Sequence, residues 1–262
     1  MKLFFLSILL SFCGSTFASQ ISLKSQYLDQ QPEILIKLPD SYETEKDKHY
    51  PVFIVLGGKD NVELVGSMLH RLHVSNGSNE HIVVGVKSTD PLNDLAPTVN
   101  LDPRGPVGAG GGADAFLNFI EIELVPFINK QYRVTNHKTI SGHSVGGLLV
   151  IHAFHSRPSL FQAHLAFSPA VWWGKSETAE ATKHYILSGS DTKSYLYLNI
   201  GTESGFMRDI YDSFTETLIR NRSIDLILKT EVYSESDHDF TFAAGLYSAL
   251  RGLYKYQQVK GI

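Results

Sequence analysis

The chain has 262 residues, 43% of them apolar and 19% charged, a balance that allows a full core in one large domain or two small ones and argues against disorder. Its formal net charge of −4 provides no basic footprint for nucleic acid or another polyanion. Cys13 is the only cysteine, which excludes a cystine scaffold and a zinc–thiolate site.

The first segment differs from the rest. Lys2 precedes an apolar run from Leu3 to Phe12, followed by small residues up to Thr16-Phe17-Ala18, the pattern of a secretory signal peptide cut after Ala18. The apolar run is too short to span a bilayer, and Phe12 before Cys13 spoils the small-residue context of a lipidation site. Residues 1–18 are therefore expected to leave. Their loss takes Cys13 away and moves the net charge from −4 to −5, since Lys2 is the one charge they carry. The mature protein is expected in a periplasm or medium, without a membrane span or thiol nucleophile. No repeat or linker divides residues 19–262, which read as a single catalytic domain.

Glu33 to Leu38 alternates like an edge strand and ends at Pro39-Asp40-Ser41. Val52 to Leu56 and His81 to Lys87 are continuous apolar runs of strand length, as in strands buried on both faces. From Ala113 to Lys130, Phe116, Leu117, Ile120, Leu124, Phe127 and Ile128 recur at helical spacing, with Pro126 as a candidate bend. The segments that follow alternate. Lys138 to Ser141 reads as a strand, Val145 to Ser156 as a helix, Ala163 to Phe167 and Tyr195 to Ile200 as strands, and Phe206 to Asn221 as a helix. Ile224 to Tyr233 reads as a strand and Phe240 to Tyr256 as a closing helix. Such alternation predicts a doubly wound α/β fold, a mostly parallel sheet with helices on both faces and function at the carboxyl ends of the strands.

The chemistry concentrates in Lys138-Thr-Ile-Ser-Gly-His-Ser-Val-Gly-Gly147. Here a G-x-S-x-G pentapeptide lies between a strand and a helix, so Ser144 is the candidate nucleophile on a sharp turn whose glycines avoid clashes with the adjoining elements. The Val145 amide at the helix N-terminus is aimed at a developing oxyanion. A second oxyanion amide is expected from Gly58 or Lys59 in Gly57-Gly-Lys-Asp60.

A serine hydroxyl needs a base. In the hydrolase chain order the histidine comes last, after the final strand, and His238 in Glu235-Ser-Asp-His-Asp-Phe240 is the only histidine beyond His184. His143 adjoins the serine but should leave the turn in a different direction, which suits packing or support; His152 and His155 read as structural. Glu203, in Gly201-Thr-Glu-Ser-Gly205, has the position of the acid that orients the imidazole. Asp209, Asp237 and a dyad without a firm acid remain open at this point.

The glycine run Val107-Gly-Ala-Gly-Gly-Gly-Ala113 lacks a preceding buried strand and a Walker lysine, so it reads as a flexible rim loop and not a phosphate cradle. Trp172 and Trp173 are candidates for an aromatic pocket wall. Asp237-His238-Asp239 has no second histidine cluster to support a metal, and neither metal nor cofactor is expected.

The chain resembles the esterase D branch of the α/β-hydrolases, and more closely its bacterial enterochelin-esterase-like members. The residues that carry this are Gly85-Val-Lys-Ser-Thr-Asp90, Asp94-Leu-Ala-Pro-Thr98, Gly111-Gly-Ala-Asp-Ala-Phe116 with Glu123-Leu-Val-Pro126, Gly142-His-Ser-Val-Gly-Gly147, Ser168-Pro-Ala-Val-Trp-Trp173 and Asp237-His238. The resemblance implies a serine carboxylic-ester hydrolase in which Ser144 and His238 take the motif's roles, with a less uniform acid. Within it, Arg104 is a candidate to meet an acidic or catecholate substrate. Siderophore, aryl and acyl-sugar esters are all compatible with this level of likeness. An acyltransferase on the same acyl-enzyme and a non-catalytic binding protein on a hydrolase scaffold stay as alternatives. A small-molecule ester is the expected partner, and the sequence leaves the oligomeric state open.

Overall fold

In a computed structural model the chain is described over residues 19–190 and 192–261; residues 1–18, expected from the sequence to be a signal peptide, lie outside the described residues. One eight-stranded sheet runs through the molecule. Its strands are β1 (Ser19–Ile21), β2 (Glu33–Lys37), β3 (Tyr50–Leu56), β4 (Ile82–Lys87), β5 (Val134–His143), β6 (Ala163–Phe167), β7 (Tyr195–Ile200) and β8 (Ile227–Val232), in the spatial order β1-β2-β4-β3-β5-β6-β7-β8. The β1–β2 and β2–β4 pairs are antiparallel and all other pairs parallel. This is the α/β-hydrolase fold that the resemblance implied.

The helices are α1 (Lys59–His73), α2 (Pro91–Leu95), α3 (Ala113–Asn118), α4 (Val125–Gln131), α5 (Val145–Ser156), α6 (Trp173–Leu187), α7 (Phe206–Asn221) and α8 (Thr241–Lys260). Every residue of β3, β6 and β7 is buried, as required of strands covered on both sides. On one face Val62, Val65, Leu69 and Leu72 of α1 join Phe242, Leu246, Leu250 and Leu253 of α8 against Phe53, Val55, Leu165 and Tyr197. The opposite face carries α3 to α7, with Phe116, Ile120, Leu149, Phe154, Phe214 and Leu218 against Ile54, Ile140, Leu196 and Leu198. Among the described residues no helix is long and apolar enough to cross a membrane.

Four expectations need correction. The 33–38 strand is not at the edge, because β1 pairs outside it through Ser19↔Ile36 to Ile21↔Ile34. The last strand begins at Ile227 and not Ile224, which is 96% exposed at a turn. The long helix carries its irregularity just before Pro126, as a π-helical turn over Phe119–Leu124 that joins α3 to α4; proline has no N–H to give the preceding turn, so the local ladder widens there. The glycine run is a tied loop and not a flexible one. Gly108 N–H donates to Asn100 O, Gly110 N–H to Asn93 Oδ1, Gly111 N–H to Ala96 O and Gly112 N–H to Asn93 O. At Gly110, with φ of 108°, a Cβ would sit 2.2 Å from Thr98 O.

The connections out of β3 and β5 run in opposite directions across the sheet, α1 returning to β4 and α5 to β6. That reversal opens a crevice at the carboxyl ends of these two adjacent strands, where ligands bind in open α/β sheets.

Candidate active site at the sheet switch point

Ser144 occupies the crevice between β5 and α5 with φ of 55° and ψ of −117°. A non-glycine residue seldom adopts this conformation, which here is held by Ser144 N–H donating to Phe167 O at 3.0 Å and by Leu148 and Ala170 N–H donating to Ser144 O. Gly142 is required next to it, since a Cβ would lie 2.5 Å from the backbone C and O of Gly146. Val145 is the first residue of α5, and Lys59, preceded by Gly58, the first of α1. The two helices start just past the carboxyl ends of the adjacent strands β3 and β5, so two helix N-termini with their unpaired amides lie on this edge of the sheet.

His238 lies in the loop between β8 and α8. Its Nδ1 meets Glu203 Oε1 at 2.8 Å. Glu203 Oε2 accepts the Gly201 N–H at 2.7 Å, so both carboxylate oxygens are engaged. Burial pushes the Glu203 carboxyl up, but the Ser168 hydroxyl, His238 and the Gly201 amide outweigh it and hold the group below the usual range. The rival acids lie elsewhere. Asp209 is exposed on α7, and Asp237 is exposed, with Oδ1 accepting the Phe240 N–H.

His143, the residue before Ser144, ties the histidine loop to the serine turn. Its Nε2–H donates to the His238 carbonyl at 2.7 Å, and the two imidazoles lie 4.6 Å apart between centroids. Burial lowers the pKa of His143, so the neutral, supporting form is favoured. The Thr241 hydroxyl donates to the same carbonyl at 2.9 Å.

The tryptophans separate. Trp172 is half-buried and stands edge-on to Phe206 at 5.8 Å. Trp173 departs from the expected pocket wall: it is 2% exposed, donates Nε1–H to Thr98 O at 2.8 Å and packs with Ala96, Leu148 and Ala170 beneath the elbow. Arg104 is paired with the buried Asp102 through Nε and Nη2, and its guanidinium lies 4.5 Å from the Phe206 ring centroid. Its charge is therefore largely answered from within the chain. Phe206 was not singled out from the sequence, where it marks only a helix start; the contact with Trp172 and Arg104 is tertiary. His152 and His155 are remote from this edge, His152 bonded to Asp114 and His155 to Thr182. Among the described residues no group of histidine, cysteine or carboxylate side chains is arranged to hold a metal.

A family described as "Putative esterase" matches residues 25–253. The chain is 36% identical over 121 residues to the siderophore enterobactin esterase of Emericella nidulans, a match covering 40% of either chain. It is 39% identical over 77 residues to the ferri-bacillibactin esterase BesA of Bacillus subtilis, covering 29% of this chain and 27% of the relative. Less than half the length of each of these curated relatives is thus spanned. Among solved structures, an IroE-like serine hydrolase from Shewanella oneidensis superposes with a TM-score of 0.85 at 28% identity, over 91% of this chain and 80% of the other.

Proposed function

Since the chain belongs to this esterase family, we propose that it is a serine carboxylic-ester hydrolase acting through an acyl-enzyme. The observation that supports this most is the His238 Nδ1–Glu203 Oε1 contact of 2.8 Å, in a loop whose His238 carbonyl is held by His143, the residue beside Ser144. In this reading Ser144 Oγ attacks the acyl carbon while His238 Nε2 takes its proton, and Glu203 keeps Nδ1 protonated and faces the imidazolium that forms. The oxyanion is met by the amide of Val145 and by that of Gly58 or Lys59. His238 returns the proton to the leaving alcohol; water then attacks the acyl-enzyme by the reverse sequence, releasing the acid. No cofactor takes part.

Trp172 and Phe206 form one wall of the substrate site in this scheme, with Arg104 lying over Phe206. The activities for which the relatives are named support siderophore esters as the first substrate class to try, ahead of aryl and acyl-sugar esters. The leader-like residues 1–18 support export to a periplasm or medium.

The test is turnover of p-nitrophenyl acetate and butyrate together with labelling by a fluorophosphonate. Wild type is expected to do both. Ser144→Ala should lose labelling and, like His238→Ala, lose turnover by about a thousandfold or more. Full activity in either variant would remove the proposal.

A further inference from the structure

Ser168 follows β6 directly and has a φ of 37°, in the left-handed region where a side chain is disfavoured relative to glycine. It is 3% exposed. Its N–H donates to both the carbonyl and Oδ1 of Asn199, at 3.0 and 3.1 Å, and Asn199 Nδ2 in turn donates to Thr241 O at 2.9 Å. Phe167, the preceding residue, holds the Ser144 amide. Ser168 is therefore clamped between the serine turn, the end of β7 and the start of α8.

Its hydroxyl is buried without a hydrogen bond of full geometry, and the group it faces is the Glu203 carboxylate. A buried hydroxyl left without a partner is unfavourable, because it has lost its hydrogen bonds to water. Glycine at this position would relieve both the backbone conformation and the orphaned hydroxyl. A serine with two liabilities, aimed at a carboxylate that contacts the histidine, calls for a use of the hydroxyl.

We propose that Ser168 is a positioning residue whose hydroxyl, by a small rotation about χ1, donates to Glu203 and holds the carboxylate with Oε1 toward His238 Nδ1 and Oε2 on the Gly201 amide. The proposal rests on the reading of Ser144, His238 and Glu203 as the ester-cleaving set. The titratable groups around Glu203 are His238 from the β8–α8 loop, His143 from the end of β5 and Tyr211 from α7. Once His238 has accepted the serine proton, a carboxylate free to turn away would leave the imidazolium without its partner. Ser168 restrains that turn.

The experiment compares wild type, Ser168→Gly and Ser168→Ala by steady-state kinetics on p-nitrophenyl butyrate, by thermal denaturation and by the downfield proton resonance of the His238 Nδ1–H. In Ser168→Gly, kcat should fall about tenfold to a hundredfold, the effect of one lost hydrogen bond to an ionised group, with KM little changed. The thermal midpoint should hold or rise, because glycine suits the backbone, and the downfield resonance should broaden or disappear. Ser168→Ala should lose kcat to the same extent. Wild-type kcat with the resonance in place, or an activity loss that merely follows a lower midpoint, overturns the proposal. If wild type hydrolyses no ester, the esterase reading fails; persistence of the resonance in Ser168→Gly then overturns the Ser168 role on its own.

Discussion

Glu203 is distinguished from the other acids by how completely it is held. Its side chain is 9% exposed, with one oxygen on His238 and the other on the Gly201 amide. Glu203→Gln removes the charge but keeps the shape, so turnover of p-nitrophenyl butyrate should fall roughly 10²- to 10⁴-fold while the fold is retained. Asp209→Asn should stay near wild type, since that carboxylate is exposed on α7; a reversed order of effects would move the acid's role to Asp209. At this scale the sequence placed Ser144, His238 and Glu203 on three turns by chain order, and the structure shows His238 and Glu203 in contact. It could not separate Trp172 from Trp173. Neighbours in a loop point wherever its path sends them, and that path is set by the Thr98 carbonyl on a distant segment. Phe206 and Ser168 escaped for the same reason: neither residue type is unusual until its neighbours are known.

Among the elements, the β5–Ser144–α5 unit carries the clearest local logic. A Cβ at Gly142 would meet backbone atoms of Gly146 at 2.5 Å, with no flexible side chain to yield, so the strand and helix can approach only through glycine. Gly142→Ala should destabilise the protein by about 2–4 kcal/mol, read as a lower urea midpoint, and lower turnover as the serine turn shifts. An unchanged midpoint would show that the turn can open at little cost. Elements with strong local patterns were legible: β6, β7 and α7 have the bounds their apolar runs and periodicity imply. The three-residue β1 was not, because so short a strand exists only by pairing with β2. Helix α1 carries a local signal of its own, since Val62, Val65, Leu69 and Leu72 repeat at helical spacing. Helix α6 gives a weaker signal, since Gly174, Lys175 and Ser176 at its start are left-handed and its buried positions include two threonines.

Taken as a whole, the molecule carries several neutral imidazoles in its interior. Burial pushes His81 and His164 down to about 3, and His137 and His155 down to about 4. Gln257 bridges His81 and His137, and His164 meets Ser194. In the unfolded chain these groups take up protons near pH 6.5. The folded state does not until pH 3–4. Their stabilisation is thus fully present above about pH 6.5 and is lost as pH falls from there toward pH 4, at about 1.4 kcal/mol per pH unit for each histidine. With a total stability of roughly 5–15 kcal/mol, the thermal midpoint should drop steeply between pH 6.5 and 5. Replacing His164 by an apolar residue of similar size should flatten that drop; a midpoint level to pH 4.5 would contradict it. The buried Glu80 and the partly buried Glu203 and Glu231, each held below its usual range, add to the loss only at lower pH, below about 4.5.

The alternation of the longer strands and helices and the strand–serine–helix turn that suggests ester chemistry were legible in the chain itself, because periodicity, glycine spacing and strand-to-helix junctions are local properties that a linear text records. Which acid meets the histidine, which tryptophan is buried and how Ser168 is tied to Asn199 were decided by tertiary structure. Those are contacts between segments 30 or more residues apart, as Glu203 is from His238 by 35 and Ser168 from Asn199 by 31. No local pattern encodes such a meeting; only the sheet, by stacking the carboxyl ends of β5, β6, β7 and β8 along one edge, brings the groups within hydrogen-bond reach.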